Sequence, residues 1–124
     1  VQNAGADAIS LINTLPAMAV DAFEKRPILG NVTGGLSGPC IKPIALKMVY
    51  DVSKAVDIPV IGMGGIMCGT DAAEFMLCGA AAVMTGTANL IDPAASLTIL
   101  DELEDYANQM GIKEISALTG ALEV

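Results

Sequence analysis

A chain of 124 residues with six Lys and Arg against 14 Asp and Glu carries a net charge of −8, which excludes the basic face that a general nucleic-acid binder needs. Hydrophobic residues make up 53% and charged residues only 16%, so the sequence can fill a core and is too apolar to stay disordered. It contains no histidine, which removes imidazole bases, Ser-His-Asp triads and histidine-bound metals from consideration.

The opening Val1 to Ala6 reads as the last turn of a helix closed by Gly5, and without an initiator Met the expectation is a chain that begins mid-protein. Ala8 to Asn13 reads as a short buried strand ending in the polar pair Asn13-Thr14 before Pro16. From Pro27 to Gly38 the chain is glycine-rich and turn-forming, too irregular for a helix or a central strand, and is expected to be a functional loop. Pro39 suits a first helical turn, and Ile41, Ala45, Met48, Val52 and Ala55 follow as one apolar stripe. Val60 to Met63 is a strand after Pro59, running into Gly64-Gly65. Thr70-Asp71 is positioned to cap a helix through Cys78 with Gly79 as its C-terminal glycine; Ala82 to Thr85 is a third strand ending at Gly86-Thr87. Asp92-Pro93 predicts the start of a last long helix with Leu97, Leu100, Leu103, Ala107 and Met110 facing the core, followed by a short helix and a frayed end.

Strands alternating with helices imply parallel pairing with right-handed crossovers, either in a doubly wound sheet or in part of a (β/α)₈ barrel. A whole barrel takes about 250 residues, so this chain has room for about half of one. Alone it would leave two strand edges and a barrel interior uncovered. The near absence of aromatic residues, with a core of Val, Ile, Leu, Met and Ala, suits parallel strands beneath helices.

Two glycine-rich turns follow successive strands, Gly62 to Gly65 and Gly86 to Asn89. In barrels the loops after the last two strands, with a short extra helix that here would be Ala88 to Ile91, commonly hold a phosphate. Glycine allows close backbone approach, and exposed N–H groups attract an anion without a lysine, so an acidic protein can still bind phosphate. One such turn would be an ordinary βα connection; two at matched positions favour the phosphate. Asn13 and Thr14 offer a donor and an acceptor to a planar heterocycle, although pattern alone favours a simple turn cap.

Lys42 and Lys47 fall on a predicted helix and are expected to be solvated or paired with nearby acids, and Asp101 to Asp105 to form a charged outer face. Cys40, Cys68 and Cys78 form no CxxC pair, so neither a zinc site nor a disulfide framework fits, and each is expected to be a small core residue with a reduced thiol. No apolar run reaches the ~18 residues of a membrane span and no basic segment precedes one, so the expectation is a soluble cytoplasmic protein.

In chain order, Ile12-Asn13-Thr14, Asn31 to Pro39, Ile41-Lys42-Pro43, Ile61 to Ile66 and Gly86-Thr87-Ala88-Asn89 resemble the C-terminal part of dihydroorotate dehydrogenase, class 1B. The resemblance runs to about Met110. It implies that residues 1–124 are the C-terminal half of a single FMN-binding (β/α)₈ domain, with the strands above as its sixth to eighth. It implies oxidation of (S)-dihydroorotate to orotate in pyrimidine biosynthesis. Asn13 and Thr14 would bind the orotate ring, the Ile12 backbone and Gly38 would lie against FMN, and Gly64, Gly65, Gly86 and Thr87 would hold its phosphate. The family's catalytic cysteine and flavin-side lysine have no counterpart here, so the chain would supply no catalytic base. Class 1B further implies a homodimer of the catalytic subunit within a heterotetramer, whose partner subunit carries FAD and a [2Fe-2S] cluster and passes electrons to NAD.

Two rival readings stand beside this one. The flavin domain of dihydropyrimidine dehydrogenase has a similar Asn-Thr and Gly-Gly arrangement. A non-catalytic half-barrel that binds flavin or phosphate would keep the glycine turns without the reaction.

Overall fold

The computed structural model describes residues 1–124. A single 3₁₀ turn at Gln2–Ala4 closes on Gly5 in the left-handed conformation, and the chain enters strand β1 (Ile9–Leu11). An excursion of four short strands follows, β2 (Leu15–Ala17), β3 (Val20–Asp21), β4 (Arg26–Pro27) and β5 (Gly34–Leu36). After a 3₁₀ turn at Pro39–Ile41 come α1 (Lys42–Ser53), β6 (Val60–Met63) and α2 (Gly69–Leu77). The chain ends with β7 (Ala82–Met84), α3 (Thr87–Ile91), α4 (Ala95–Gln109) and a 3₁₀ turn at Ile115–Leu118.

Strands β1, β6 and β7 form one parallel sheet in that order, with Leu11 beside Gly62 and Met63 beside Met84. Their C-terminal ends therefore reach one rim together. Parallel pairing demands crossovers, and α1 and α2 supply them. The expected β-α-β-α-β order thus holds, and β6 has the limits that Pro59 and Gly64 mark in the sequence. β1 itself is only half-buried, short of the buried strand expected, because it is an outer strand with β6 on one side alone.

Residues Pro27 to Gly38, expected to be one irregular loop, are irregular from Ile28 to Thr33 but also contain the end of β4 and all of β5, which belong to two small antiparallel ribbons that begin at Leu15. β2 pairs with β5, Leu15 opposite Leu36, and β3 with β4, Asp21 opposite Arg26. Asp21 sets the inner turn by accepting the Phe23 and Glu24 N–H groups through Oδ1. Strands of two or three residues that contain Pro16 and Pro27 give almost no period-2 signal, which hides them from pattern reading.

Both long helices bury only part of the stripe expected, Ile41 and Ala45 at α1 and Leu103 and Ala107 on α4. α1 turns Ala45 and Val49 inward, in line with Ile41, whereas Met48 is exposed, as is Ala55 just beyond the helix. α4 buries Ala95, Ile99, Leu103 and Ala107 and leaves Leu97, Leu100 and Met110 outside. The expected and observed stripes share Ala45 on α1 and Ala107 on α4 and part at adjacent large residues, Met48 or Val49 and Leu97 or Ile99. The helix starts also shift. Cys68 is the N-cap of α2, which places Asp71 in its third position, and α4 begins at Ala95 after a turn in which Asp92 accepts the Ala94 N–H.

The core lies between the sheet and α1, α2 and α4, with Phe75 and Val49 fully buried. The tail is tied down rather than frayed at first. Leu118 is buried, Gly120 and Leu122 donate N–H groups to the carbonyls of Met76 and Leu77, and the Thr119 hydroxyl donates to that of Ala80. No helix is long and apolar enough to cross a membrane.

Candidate functional site

At the rim formed by the C-terminal ends of the three parallel strands lies a cavity of about 470 Å³, a volume in the range of small-ligand sites. Ile12, Asn13 and Thr14 line it from the end of β1, and Gly38 from the approach to α1. Gly64 and Gly65 line it from the end of β6, and Gly86 and Thr87 from the end of β7. Residues separated by up to 75 positions in the chain are thus brought to one place by parallel register. Ser37, Met63, Ile66, Met84 and Thr85 complete much of the wall, and no Lys, Arg, Asp or Glu contributes to it.

The Asn13 amide has a fixed sense. Its Oδ1 accepts the Thr14 N–H at 2.8 Å, which leaves the Nδ2 hydrogens as the free donors. The turn-cap role and ligand recognition are therefore compatible in one side chain. Thr14 stands over Gly35 of the paired strand β5, where any added Cβ would run into the threonine side chain. Across the cavity the Thr87 hydroxyl donates to Ser37 Oγ at 2.9 Å, joining the end of β7 to the segment before α1.

The glycines differ in what they demand. Gly65 has φ +87°, and a Cβ there would lie 2.8 Å from the Gly38 carbonyl oxygen and 2.9 Å from Lys42 Cβ. Its lack of a side chain is required by its own protein neighbours. At Gly86 a Cβ would meet nothing within 4 Å, so no contact in this chain excludes one. The N–H groups of Gly64, Gly65 and Gly86 donate to no acceptor within the chain. Unpartnered main-chain donors of this kind suit an anion.

Asn89, quoted in the sequence motif without a role, is the corner post behind Gly86. Its Nδ2 donates to the Thr85 carbonyl at 3.2 Å and hydroxyl at 2.9 Å, and its Oδ1 accepts the Ser96 N–H at 3.1 Å and hydroxyl at 2.9 Å. Asn89→Ala is expected to lower stability by about 1–2 kcal/mol, read from the midpoint of urea unfolding; an unshifted midpoint would show that the hydroxyls hold the corner alone.

Behind the Gly64-Gly65 turn sits an ion cluster. Lys42 Nζ lies 2.5 Å from Asp71 Oδ1 and 2.7 Å from Glu74 Oε2, and Asp71 Oδ2 accepts the Met67 N–H at 2.8 Å. The hydrogen bond to Asp71, then that to Glu74, raises the Lys42 pKa above its ordinary value against the effect of burial. Burial pushes the Asp71 carboxyl up, but Lys42 and the Met67 N–H outweigh it and hold the group below its ordinary value. Lys47 pairs with Asp51 on the surface. Glu102, on the charged face of α4, also caps α2 by accepting the Gly69 N–H at 2.6 Å.

The cysteines carry no sign of a nucleophile. Cys40 is exposed rather than a core residue, because the 3₁₀ turn that holds it buries Ile41 instead. Cys68 is an N-cap, and burial, with Glu74 adding to it, pushes the Cys78 thiol up.

The dihydroorotate dehydrogenase family model matches residues 1–107. Over 98% of its length the chain is 60% identical to "Dihydroorotate dehydrogenase B (NAD(+)), catalytic subunit" of Geotalea daltonii and 63% identical to the protein of that name from Geobacter metallireducens. It spans about 40% of the length of these relatives. A crystal structure of DHODH from Eimeria tenella in complex with ferulenol superposes with a TM-score of 0.78 at 30% identity, over 97% of this chain and 32% of that one. With a family match that covers most of its residues, a parallel α/β sheet and one cavity at the sheet's C-terminal rim, the chain belongs to the dihydroorotate dehydrogenase family.

Proposed function

We propose that residues 1–124 are the C-terminal half of a single (β/α)₈ domain that binds FMN and oxidises dihydroorotate to orotate in pyrimidine biosynthesis. The supporting observation is that Ile12, Asn13, Thr14, Gly38, Gly64, Gly65, Gly86 and Thr87 all line one uncharged cavity at the C-terminal rim, where barrel enzymes place their sites. FMN, when bound, supplies the hydride acceptor. The residues present fit it: free N–H groups at Gly64, Gly65 and Gly86 and the hydroxyls of Thr87 and Ser37 suit a phosphate, and Ile12, Ile66, Met63 and Met84 offer an apolar wall to a flat ring system.

Within this arrangement Asn13 and Thr14 bind and orient the orotate ring, the free Nδ2 hydrogens of Asn13 meeting ring or carboxylate oxygens. The apolar wall excludes water from the reacting face. The proton leaves to a base outside these residues. Electrons pass onward to NAD through a partner subunit with FAD and a [2Fe-2S] cluster, in a cytoplasmic assembly of two catalytic and two partner subunits. The names of the relatives, a catalytic subunit with NAD(+), support the separate partner subunit and NAD as acceptor.

The test is the visible spectrum of the full-length protein without oxygen, before and after dihydroorotate. Bleaching of a bound flavin is the expected result. A flavin bleached by dihydrouracil and not by dihydroorotate would transfer the site to the dihydropyrimidine reaction, and a colourless protein would leave a structural half-barrel. Asn13→Ala is expected to keep the flavin and weaken orotate binding by about 1–2 kcal/mol; unchanged orotate affinity in a flavin-quenching titration would reduce Asn13 to a turn residue.

A further inference from the structure

We infer that Lys42, held by Asp71 and Glu74, is a positioning residue that sets the Gly64-Gly65 turn for the flavin phosphate, an inference that rests on the reading above. Lys42 does not line the cavity. It stands directly behind it: its Cβ and backbone nitrogen would lie 2.9 and 3.0 Å from a Cβ on Gly65, and the third neighbour of that position is the Gly38 carbonyl, which accepts the Ile41 N–H.

Position along the chain explains why one side chain can do this. Lys42 is the first residue of α1, immediately after the segment that carries Gly38. Asp71 and Glu74 lie on α2, immediately after the loop that carries Gly64 and Gly65. The ammonium therefore joins the start of the helix after one cavity-lining segment to the start of the helix after the next. Asp71 closes the circuit, because its second oxygen holds the Met67 N–H within the loop itself.

Gly65 thus lies close against Gly38 and the start of α1, with no room for a side chain between them, and hydrogen bonds continue from Lys42 to Asp71 and from Asp71 back to Met67. Donors that must meet an anion without rearranging need such a support, since main-chain N–H groups on an unsupported glycine turn would sample many directions. Lys42 is one of six cations in the chain and is spent on two carboxylates. With one positive charge facing two carboxylates, the cluster has no net positive charge to offer a phosphate, so its contribution to flavin binding is geometric and acts at the phosphate end alone.

The experiment compares FMN with riboflavin, which lacks the phosphate, as ligands of the full-length apoprotein, by fluorescence titration. Lys42→Met is expected to reduce the preference for FMN over riboflavin by about tenfold or more, leaving riboflavin affinity within about twofold. Lys42→Arg, which can span the same two carboxylates, is expected to retain the preference within about threefold. A purely structural lysine would instead lower both affinities by one factor, and that result, or two unchanged affinities, would overturn the inference. Should Lys42→Met not fold, Glu74→Gln at the more exposed partner decides by the same ratio. A wild-type protein that binds riboflavin as tightly as FMN would overturn the phosphate placement itself, a failure visible before any substitution is made.

Discussion

Gly86→Val is expected to give a folded protein without flavin, whereas Gly65→Ala is expected to fail earlier, in folding. At Gly86 a Cβ meets nothing within 4 Å, so the substitution makes no clash and should cost only about 1 kcal/mol, for replacing a favoured N-cap residue of α3. Gly86 also lines the cavity, and a branched side chain there should lower FMN affinity by on the order of a hundredfold, roughly 3 kcal/mol. At Gly65 the methyl meets the Gly38 carbonyl and Lys42 at a φ of +87°. The left-handed conformation costs a non-glycine residue about 1–3 kcal/mol, and forcing a methyl into packed backbone costs about 1–3 kcal/mol more. Thermal unfolding of the apoproteins separates the two: a Gly65→Ala protein as stable as wild type, or a Gly86→Val protein that keeps FMN, would refute the division of roles.

That contrast shows where sequence reading stops. Two glycine turns after two strands are visible as punctuation, and their shared place at the strand ends follows from parallel topology. The purpose of each glycine does not, because one is fixed by a carbonyl 27 residues earlier and the other by nothing in the chain. Asn13 is a similar case. Its turn-capping hydrogen bond and its open Nδ2 group coexist, so the two readings that the sequence set against each other were never exclusive.

Order and type of the parallel strands and their helices were readable because Pro59, Gly64, Gly79 and Gly86 punctuate them. The inward faces of α1 and α4 were readable only in part: Ala45, Leu103 and Ala107 are buried as expected, but Met48 or Val49, and Leu97 or Ile99, satisfy a 3.6-residue period nearly equally well. Packing chose Val49 on α1 and Ala95 and Ile99 on α4. The Lys42 cluster was hidden for a different reason. Its partners are 29 and 32 residues away, and only the crossover from α1 through β6 to α2 brings them together. Lys47, by contrast, pairs with Asp51 one turn along the same helix, a partner that lies within reach of local spacing.

Asp71→Ala is expected to destabilise the protein by about 2–4 kcal/mol near neutral pH. The carboxylate is nearly buried, and its loss leaves the Met67 N–H without its acceptor and Lys42 with Glu74 alone. The loss should depend on pH in one direction only. Because the folded-state pKa of Asp71 lies below its ordinary value, ionised Asp71 stabilises the fold fully above about pH 4. That stabilisation is lost as pH falls through the folded-state value. Lys42 is shifted upward, so its share is complete below the ordinary lysine pKa of about 10.4 and is lost only as pH rises beyond it. The difference in unfolding free energy between wild type and Asp71→Ala should therefore be level from about pH 6 to 9 and narrow below about pH 4. Urea unfolding across that series measures it directly. A gap that instead widened in acid would mean that the protonated carboxyl is the form the fold prefers, and that burial rather than Lys42 governs the site.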